Sequence, residues 1–141
     1  MSKELILKKL DQLRVLLTEL EQWLETPADD FLKNIALIRA AERNFELIVE
    51  TASDINAQLL IERGKQVPDS YRKSFEALAL ENTFDHATAE KLIESAKLRN
   101  ILVHEYDFDE DYKQFYLSAR EMLPAYRDYL ADIAHTIKTA A

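Results

Sequence analysis

Four chemically versatile side chains fall within eight residues near position 100. The segment reads Arg99-Asn100-Ile101-Leu102-Val103-His104-Glu105-Tyr106, which follows the pattern R-N-x-x-x-H-x-Y. A guanidinium can bind phosphate oxygens through two parallel hydrogen bonds. An imidazole can take or give a proton near neutral pH, an amide can orient that imidazole, and a phenol offers a modifiable hydroxyl. These residue types suit chemistry on a phosphate ester.

Helical geometry predicts that these side chains meet on one side of a helix. At about 100° per residue, Asn100 and His104 lie about 40° apart, as an i,i+4 pair. Arg99 and Tyr106 also nearly share a face if the helix continues that far, and all four fit within an arc of about 160°. Most of the apolar residues between them point elsewhere and are expected to anchor the backbone.

In principle, Arg99 and His104 are sufficient for RNA cleavage without a metal. A basic group helps to remove the proton of the 2′-hydroxyl, which attacks the adjacent phosphorus, and the guanidinium stabilises the negative charge that develops. Spacing alone, however, also fits ordinary structural roles. Arg99 could form a surface ion pair, His104 could interact with a helix C-terminus, and Tyr106 could be an aromatic residue at the core edge.

The rest of the chain predicts five helices that would position this segment. The first carries a leucine stripe at three- and four-residue steps. The second could break near Asn34, and the fourth contains the motif. The predicted ranges are about Lys3 to Glu25, Pro27 to Arg63, Tyr71 to Leu80, Asp85 or Thr88 to about His104, and a fifth helix after Asp109 that includes Pro124.

Local signals place several helix ends. Thr26 is predicted to cap the second helix, with Pro27 in its first turn. Gly64, the only glycine of the chain, is predicted to end that helix in a left-handed conformation. Ser70 is predicted to cap the third helix, and Asp85 or Thr88 the fourth.

Composition narrows the class of protein. The chain has 141 residues, of which 48% are hydrophobic, with one Gly, three Pro and no Cys. This predicts a single all-α domain over residues 1–141, an antiparallel helical bundle of about five helices, without disulfides or thiolate metal sites. Neither His86 nor His135 has neighbours that suggest a metal, so no metal and no cofactor are expected.

Net charge and hydropathy indicate which partners and which cellular location to expect. The formal net charge of −8 counts against extended, sequence-independent nucleic-acid binding, and no DNA partner is expected. A small local RNA site remains compatible, since charges are screened beyond about 8 Å at physiological ionic strength. With no signal peptide and no apolar run of about 20 residues, a cytoplasmic protein without a membrane partner is expected.

Two apolar faces could either bind a partner or fill the core. They are the Leu/Trp face of the first helix and the Tyr-rich face of the last. The polar face of the second helix, with Arg39, Arg43, Glu46, Glu50 and Asp54, is most simply a solvated, ion-paired face. Alternatively, Arg43 or Asp54 supports the motif from the neighbouring helix.

The R-N-x-x-x-H-x-Y segment in this helical setting resembles the HEPN superfamily and, within it, the HepT-like toxins. The stretch from Ala40 to Asn56 looks like the long second helix of that family, and Phe84 to Tyr106 looks like its motif helix. The all-helical pattern agrees over nearly the whole length.

This resemblance implies a metal-independent ribonuclease that is the toxin of a toxin–antitoxin system and forms homodimers with two motifs in one cleft. It makes Arg99 and His104 the catalytic pair, Asn100 a supporting residue, and Tyr106 the acceptor of AMP. The implied antitoxin is a small nucleotidyltransferase of the MntA type, which silences the toxin by AMPylation. The alternatives are a non-catalytic binding module that partners a nucleotidyltransferase, and a purely structural bundle.

Overall fold

The computed structural model describes residues 2–104 and 108–139, and within these ranges every regular element is an α-helix. Tyr106 therefore lies outside the described residues. The helices are α1 (Ser2–Trp23), α2 (Ala28–Leu32), α3 (Ile35–Glu62), α4 (Tyr71–Leu80), α5 (His86–His104) and α6 (Phe108–Thr139). The predicted all-α bundle is confirmed.

The described part of the chain has six helices rather than five, because the predicted second helix is two. The side chain of Asn34 accepts a hydrogen bond from the Leu37 amide and caps the start of α3, so the predicted break near Asn34 is confirmed.

The predicted cap of the second helix at Thr26 was one residue too early. Pro27 is the residue before α2, and its carbonyl accepts a hydrogen bond from the Phe31 amide, but it has no side-chain oxygen to cap the helix. Proline lacks an amide hydrogen, and this is tolerated here because the first residues of a helix donate no intrahelical hydrogen bond.

Side-chain contacts fix the directions of the long helices. Lys9 pairs with Asp54, and Glu19 accepts a hydrogen bond from Asn44, so α1 and α3 are antiparallel. Along α5 and α6, Phe84 lies against Tyr129 while Ser95 hydrogen-bonds Tyr126, which makes that pair antiparallel as well. The leucine stripe of α1 is fully buried, in the order Leu10, Leu13, Leu17, Leu20 and Leu24.

The two apolar faces that could have met a partner fill the core instead. The Tyr-rich face of α6 is buried, with Tyr126 and Tyr129 inaccessible to solvent. Within the described residues, no helix has the length and apolarity needed to cross a membrane.

A buried polar network connects α6, α3 and α4 inside this apolar core. The Tyr129 hydroxyl donates to Asn56 Oδ1 at 2.7 Å, and Asn56 Nδ2 donates to Ser74 Oγ at 3.0 Å. Ser74 Oγ in turn donates to the Tyr71 carbonyl at 2.7 Å. Burial raises the pKa of Tyr129 well above its ordinary value, which keeps its hydroxyl a neutral donor. The network ties the first turn of α4 to the centre of the bundle.

Candidate nuclease site

Helix α5 carries the predicted site in its last two turns. It begins after Asp85, whose Oδ1 accepts a hydrogen bond from the Thr88 amide at 2.8 Å. This selects Asp85 from the two predicted caps. Leu92, Ala96 and Leu98 are buried and hold the helix against the bundle.

The cap gives α5 a defined pH response. The hydrogen bond from the Thr88 amide lowers the pKa of Asp85 below its ordinary value of 3.8. A carboxylate with a lowered pKa stabilises the folded state above its unfolded pKa, and loses that contribution as pH falls through the lowered value. We expect Asp85→Ala to lower the thermal midpoint at pH of about 7, and this difference to be smaller at pH of about 3, below the ordinary pKa of the carboxyl.

Thermal unfolding followed by circular dichroism at both pH values checks this. Asp69→Ala is a suitable control, since the Asp69 carboxylate forms an exposed ion pair with Lys73, and such a pair should contribute little. A difference between Asp85→Ala and the wild type that is undiminished at the lower pH would contradict a cap that works through the ionised carboxylate.

Asn100 and His104 lie together, as their spacing predicts. With Lys97 and Ile101 they line a shallow groove of about 350 Å³. Both Asn100 and His104 are exposed, so each can reach a ligand in the groove. Lys97 was not anticipated, although its spacing from Asn100 and Ile101 places it on the same side of α5. It adds a cation to the groove.

Arg99 is directed toward the neighbouring helices rather than into that groove. Its Nη2 lies 3.8 Å from Glu50 Oε2 of α3, and its side chain is 17% exposed. Its guanidinium carbon stacks over the ring of Tyr71 of α4, 4.7 Å from the ring centroid. Arg99 Nε is buried and has no hydrogen-bond partner among the residues that the structure describes. The structure therefore brings Asn100 and His104 into one groove and holds Arg99 on the adjoining side of α5.

The apolar residues of the motif do not all anchor the backbone as expected. Leu98 is buried and Leu102 is half-buried, but Ile101 and Val103 are 39% and 43% exposed. A complete apolar anchor was therefore the wrong interpretation for these two. They place apolar surface beside His104 instead.

The polar face of α3 is ion-paired, as the simpler interpretation held. Arg39 pairs with Glu42, Arg43 pairs with Glu46 and more loosely with Glu50, and Asp54 pairs with Lys9. Arg43 reaches the motif only through Glu50, which contacts both guanidiniums. Glu50 and Tyr71 are therefore the contacts of Arg99 that sequence reasoning missed.

The other histidines lie away from this groove. His86 is in the first turn of α5, where its Nε2 lies 2.9 Å from Glu90 Oε1, and His135 is exposed on α6. Among the described residues, no group of three or more His, Asp or Glu side chains could hold a metal ion.

Several solved structures have a fold similar to that of this chain. A tri-AMPylated HEPN toxin from Shewanella oneidensis, solved in complex with an MNT antitoxin, superposes with a TM-score of 0.78 at 21% identity, covering 92% of this chain and 96% of that one. YutE of Bacillus subtilis, a cytosolic protein of unknown function, gives a TM-score of 0.71 at 18% identity, covering 92% and 90% of the two chains. At these identities the likeness establishes the fold.

Sequence comparison establishes the family. Residues 13–133 match the family model described as Ribonuclease HepT-like. A tRNA nuclease HepT from Aphanizomenon flos-aquae (strain 2012/KM1/D3) is 30% identical over 119 residues, which are 83% of this chain and 79% of that protein. The chain belongs to the HepT-like ribonuclease family.

Proposed function

We propose that residues 1–141 form a single HEPN-like domain that acts as a metal-independent endoribonuclease, the toxin of a toxin–antitoxin system. The observation that carries this is the pairing of Asn100 and His104 in an exposed groove beside Arg99, on the motif helix of a HepT-like chain. A relative at 30% identity that bears the name tRNA nuclease supports RNA as the substrate.

In the proposed reaction, His104 accepts the proton of the RNA 2′-hydroxyl as that oxygen forms a bond to the adjacent phosphorus. The bond from phosphorus to the 5′-oxygen breaks, and the 5′-oxygen leaves as a hydroxyl after it takes a proton from the protonated His104 or from water. The products are a 2′,3′-cyclic phosphate and a 5′-hydroxyl end. Arg99 stabilises the charge on the phosphorus oxygens, Asn100 orients the imidazole or binds an oxygen, and the attacking group belongs to the substrate itself.

We further propose a homodimer that brings two motifs into one cleft. Ile101 and Val103 support this, because their exposed apolar side chains flank His104 and would be covered by a second copy. A dimer would also bring Lys97 and Arg99 together with the same residues of the partner. This would concentrate positive charge in a chain whose net charge is −8.

Silencing is proposed to occur by AMPylation of Tyr106 by a nucleotidyltransferase antitoxin. Tyr106 follows His104 by two residues, so the two α-carbons are at most about 7 Å apart. A phosphate attached there would compete with RNA for the Arg99 guanidinium, and the adenosine would obstruct the groove. A similar HEPN toxin is tri-AMPylated in its complex with an antitoxin, which supports this regulation.

The direct test is RNA cleavage by purified protein in excess chelator, after intact mass shows that no AMP is attached. We expect total RNA, tRNA or mRNA to be cut, with cyclic phosphate at the new 3′ ends. A His104→Ala preparation purified in the same way controls for a contaminating ribonuclease. If every RNA survives, and the protein still forms a stable complex with a nucleotidyltransferase, the non-catalytic binding module replaces this proposal.

A further inference from the structure

We propose that Glu50 and Tyr71 position the Arg99 guanidinium for RNA cleavage, so that Glu50 is a positioning residue of the nuclease site. This inference rests on the proposed function of Arg99. Three helices meet at this point, since Arg99 belongs to α5, Glu50 to α3 and Tyr71 to α4.

The contacts restrict the guanidinium in two different ways. Stacking on the Tyr71 ring, at 4.7 Å from the centroid, restricts the plane of the group. The Glu50 carboxylate, at 3.8 Å from Nη2, restricts its rotation within that plane. A long, flexible side chain is thereby held in few conformations before any RNA binds. Such preorganisation is what a group that stabilises developing charge requires.

The contacts of Arg99 restrict its side chain without hydrogen-bonding all of its donors, in contrast to Arg127, a structural arginine of the same chain. Arg127 donates from Nε to Glu21 at 3.0 Å, from Nη2 to Thr18 at 3.1 Å, and also from Nη2 to the second oxygen of Glu21. The contact between Arg99 and Glu50 is too long for a hydrogen bond, and among the described residues Arg99 Nε has no hydrogen-bond partner. Nε itself is buried, so the donors that suit the binding of an anion are those of the two Nη groups.

One carboxylate oxygen of Glu50 lies close to two arginines. The same atom, Oε2, lies 3.7 Å from Arg43 Nη1 and 3.8 Å from Arg99 Nη2. Arg43 therefore weakens the hold of Glu50 on Arg99, and an RNA phosphate can compete for the Arg99 donors. The carboxylate fixes the position of the guanidinium without neutralising it.

The test compares two glutamates of α3 that both pair with Arg43. Among the described residues, Glu50 also reaches Arg99 and Glu46 does not. We expect Glu50→Gln to lower kcat for RNA cleavage by about ten- to a hundredfold, because misplacing a catalytic group is costly in rate. KM should stay within about twofold, since phosphate contacts elsewhere on the RNA are unchanged. Glu46→Gln should match the wild type.

The ring contact has its own matched pair. Tyr71→Phe keeps the aromatic face and should retain the wild-type kcat, whereas Tyr71→Leu removes the stacking surface and should lower kcat with little change in KM. Thermal unfolding of each variant shows whether the fold is intact. Tyr71→Phe removes the hydroxyl and keeps the ring, so it tests whether the ring alone is sufficient to position Arg99.

Three outcomes would overturn the inference. Equal kcat values for Glu50→Gln and Glu46→Gln, with an active wild type, would remove the positioning role while leaving the nuclease proposal in place. A faster Glu50→Gln enzyme would show that Glu50 competes with RNA for Arg99. A wild type that cuts no RNA would overturn the proposed function and this inference together.

Discussion

His104→Ala is expected to lower the rate of RNA cleavage by about 10²–10⁴-fold, the range for losing a positioned acid–base group. His104 ends the described part of α5, is exposed, and shares its groove with Asn100. The chain has three histidines, and the other two, His86 and His135, lie at the start of α5 and on α6. Neither can take over the proton transfer from its position.

Single-turnover cleavage of a defined RNA measures this rate without interference from product release. His86→Ala is the matched control, because His86 lies on the same helix, is exposed, and has its ion pair with Glu90 rather than with a residue of the groove. It should cleave RNA at the wild-type rate. If His104→Ala retains more than about a tenth of the wild-type rate, His104 is not the acid–base group, and the attack on phosphorus must depend on other residues.

Much of the fold could be predicted because it depends on local patterns. Leucines at helical spacing identified α1, and all five of the predicted stripe positions from Leu10 to Leu24 are buried. Gly64 has a φ of +71°, as its place at the end of a helix required. Ser70 caps α4 by accepting a hydrogen bond from the Lys73 amide. Each of these features is decided by residues a few positions apart.

The surroundings of Arg99 could not be predicted, because they depend on how three helices pack. Glu50 stood among several charged residues on one face of α3, and no local feature separated it from Glu46 or Asp54. Tyr71 is the first residue of α4, and nothing in its neighbourhood of the sequence indicates a contact with α5. Only the packing of α3, α4 and α5 makes Glu50 and Tyr71 the two contacts of Arg99.

The exposure of Ile101 and Val103 has a related cause. A position on a helical wheel identifies which residues share a side of α5, but not which sides are covered by neighbouring helices. In the described structure, burial of α5 against the bundle ends near Leu98 and Leu102, and Ile101 and Val103 of its last turn are exposed. The proposed second copy of the chain would cover these apolar residues, and a single sequence does not display such a partner.

Arg99→Ala is expected to lower the rate of RNA cleavage by about 10²–10³-fold, the loss typical of removing one group that stabilises a developing oxyanion. Arg99→Lys should recover only part of the rate. A lysine keeps the charge but loses the planar fork that binds phosphate oxygens and stacks on Tyr71. Stability should change little in either variant, because Arg99 makes a long ion pair and, among the described residues, its buried Nε has no hydrogen-bond partner.

Single-turnover cleavage and thermal unfolding of the same preparations test both parts of this expectation. Arg120→Ala is the matched control, since Arg120 also stacks on a tyrosine, with its guanidinium carbon 5.2 Å from the ring centroid of Tyr116, and lines a different groove with Glu21 and Leu24. It should leave cleavage unchanged.

Groups that act together in one transition state lose activity non-additively, so Arg99→Ala combined with His104→Ala should be little slower than the slower single variant. Fully additive losses would show that the two residues act in separate steps, and a rate within about tenfold of the wild type for Arg99→Ala would remove Arg99 from the catalytic pair.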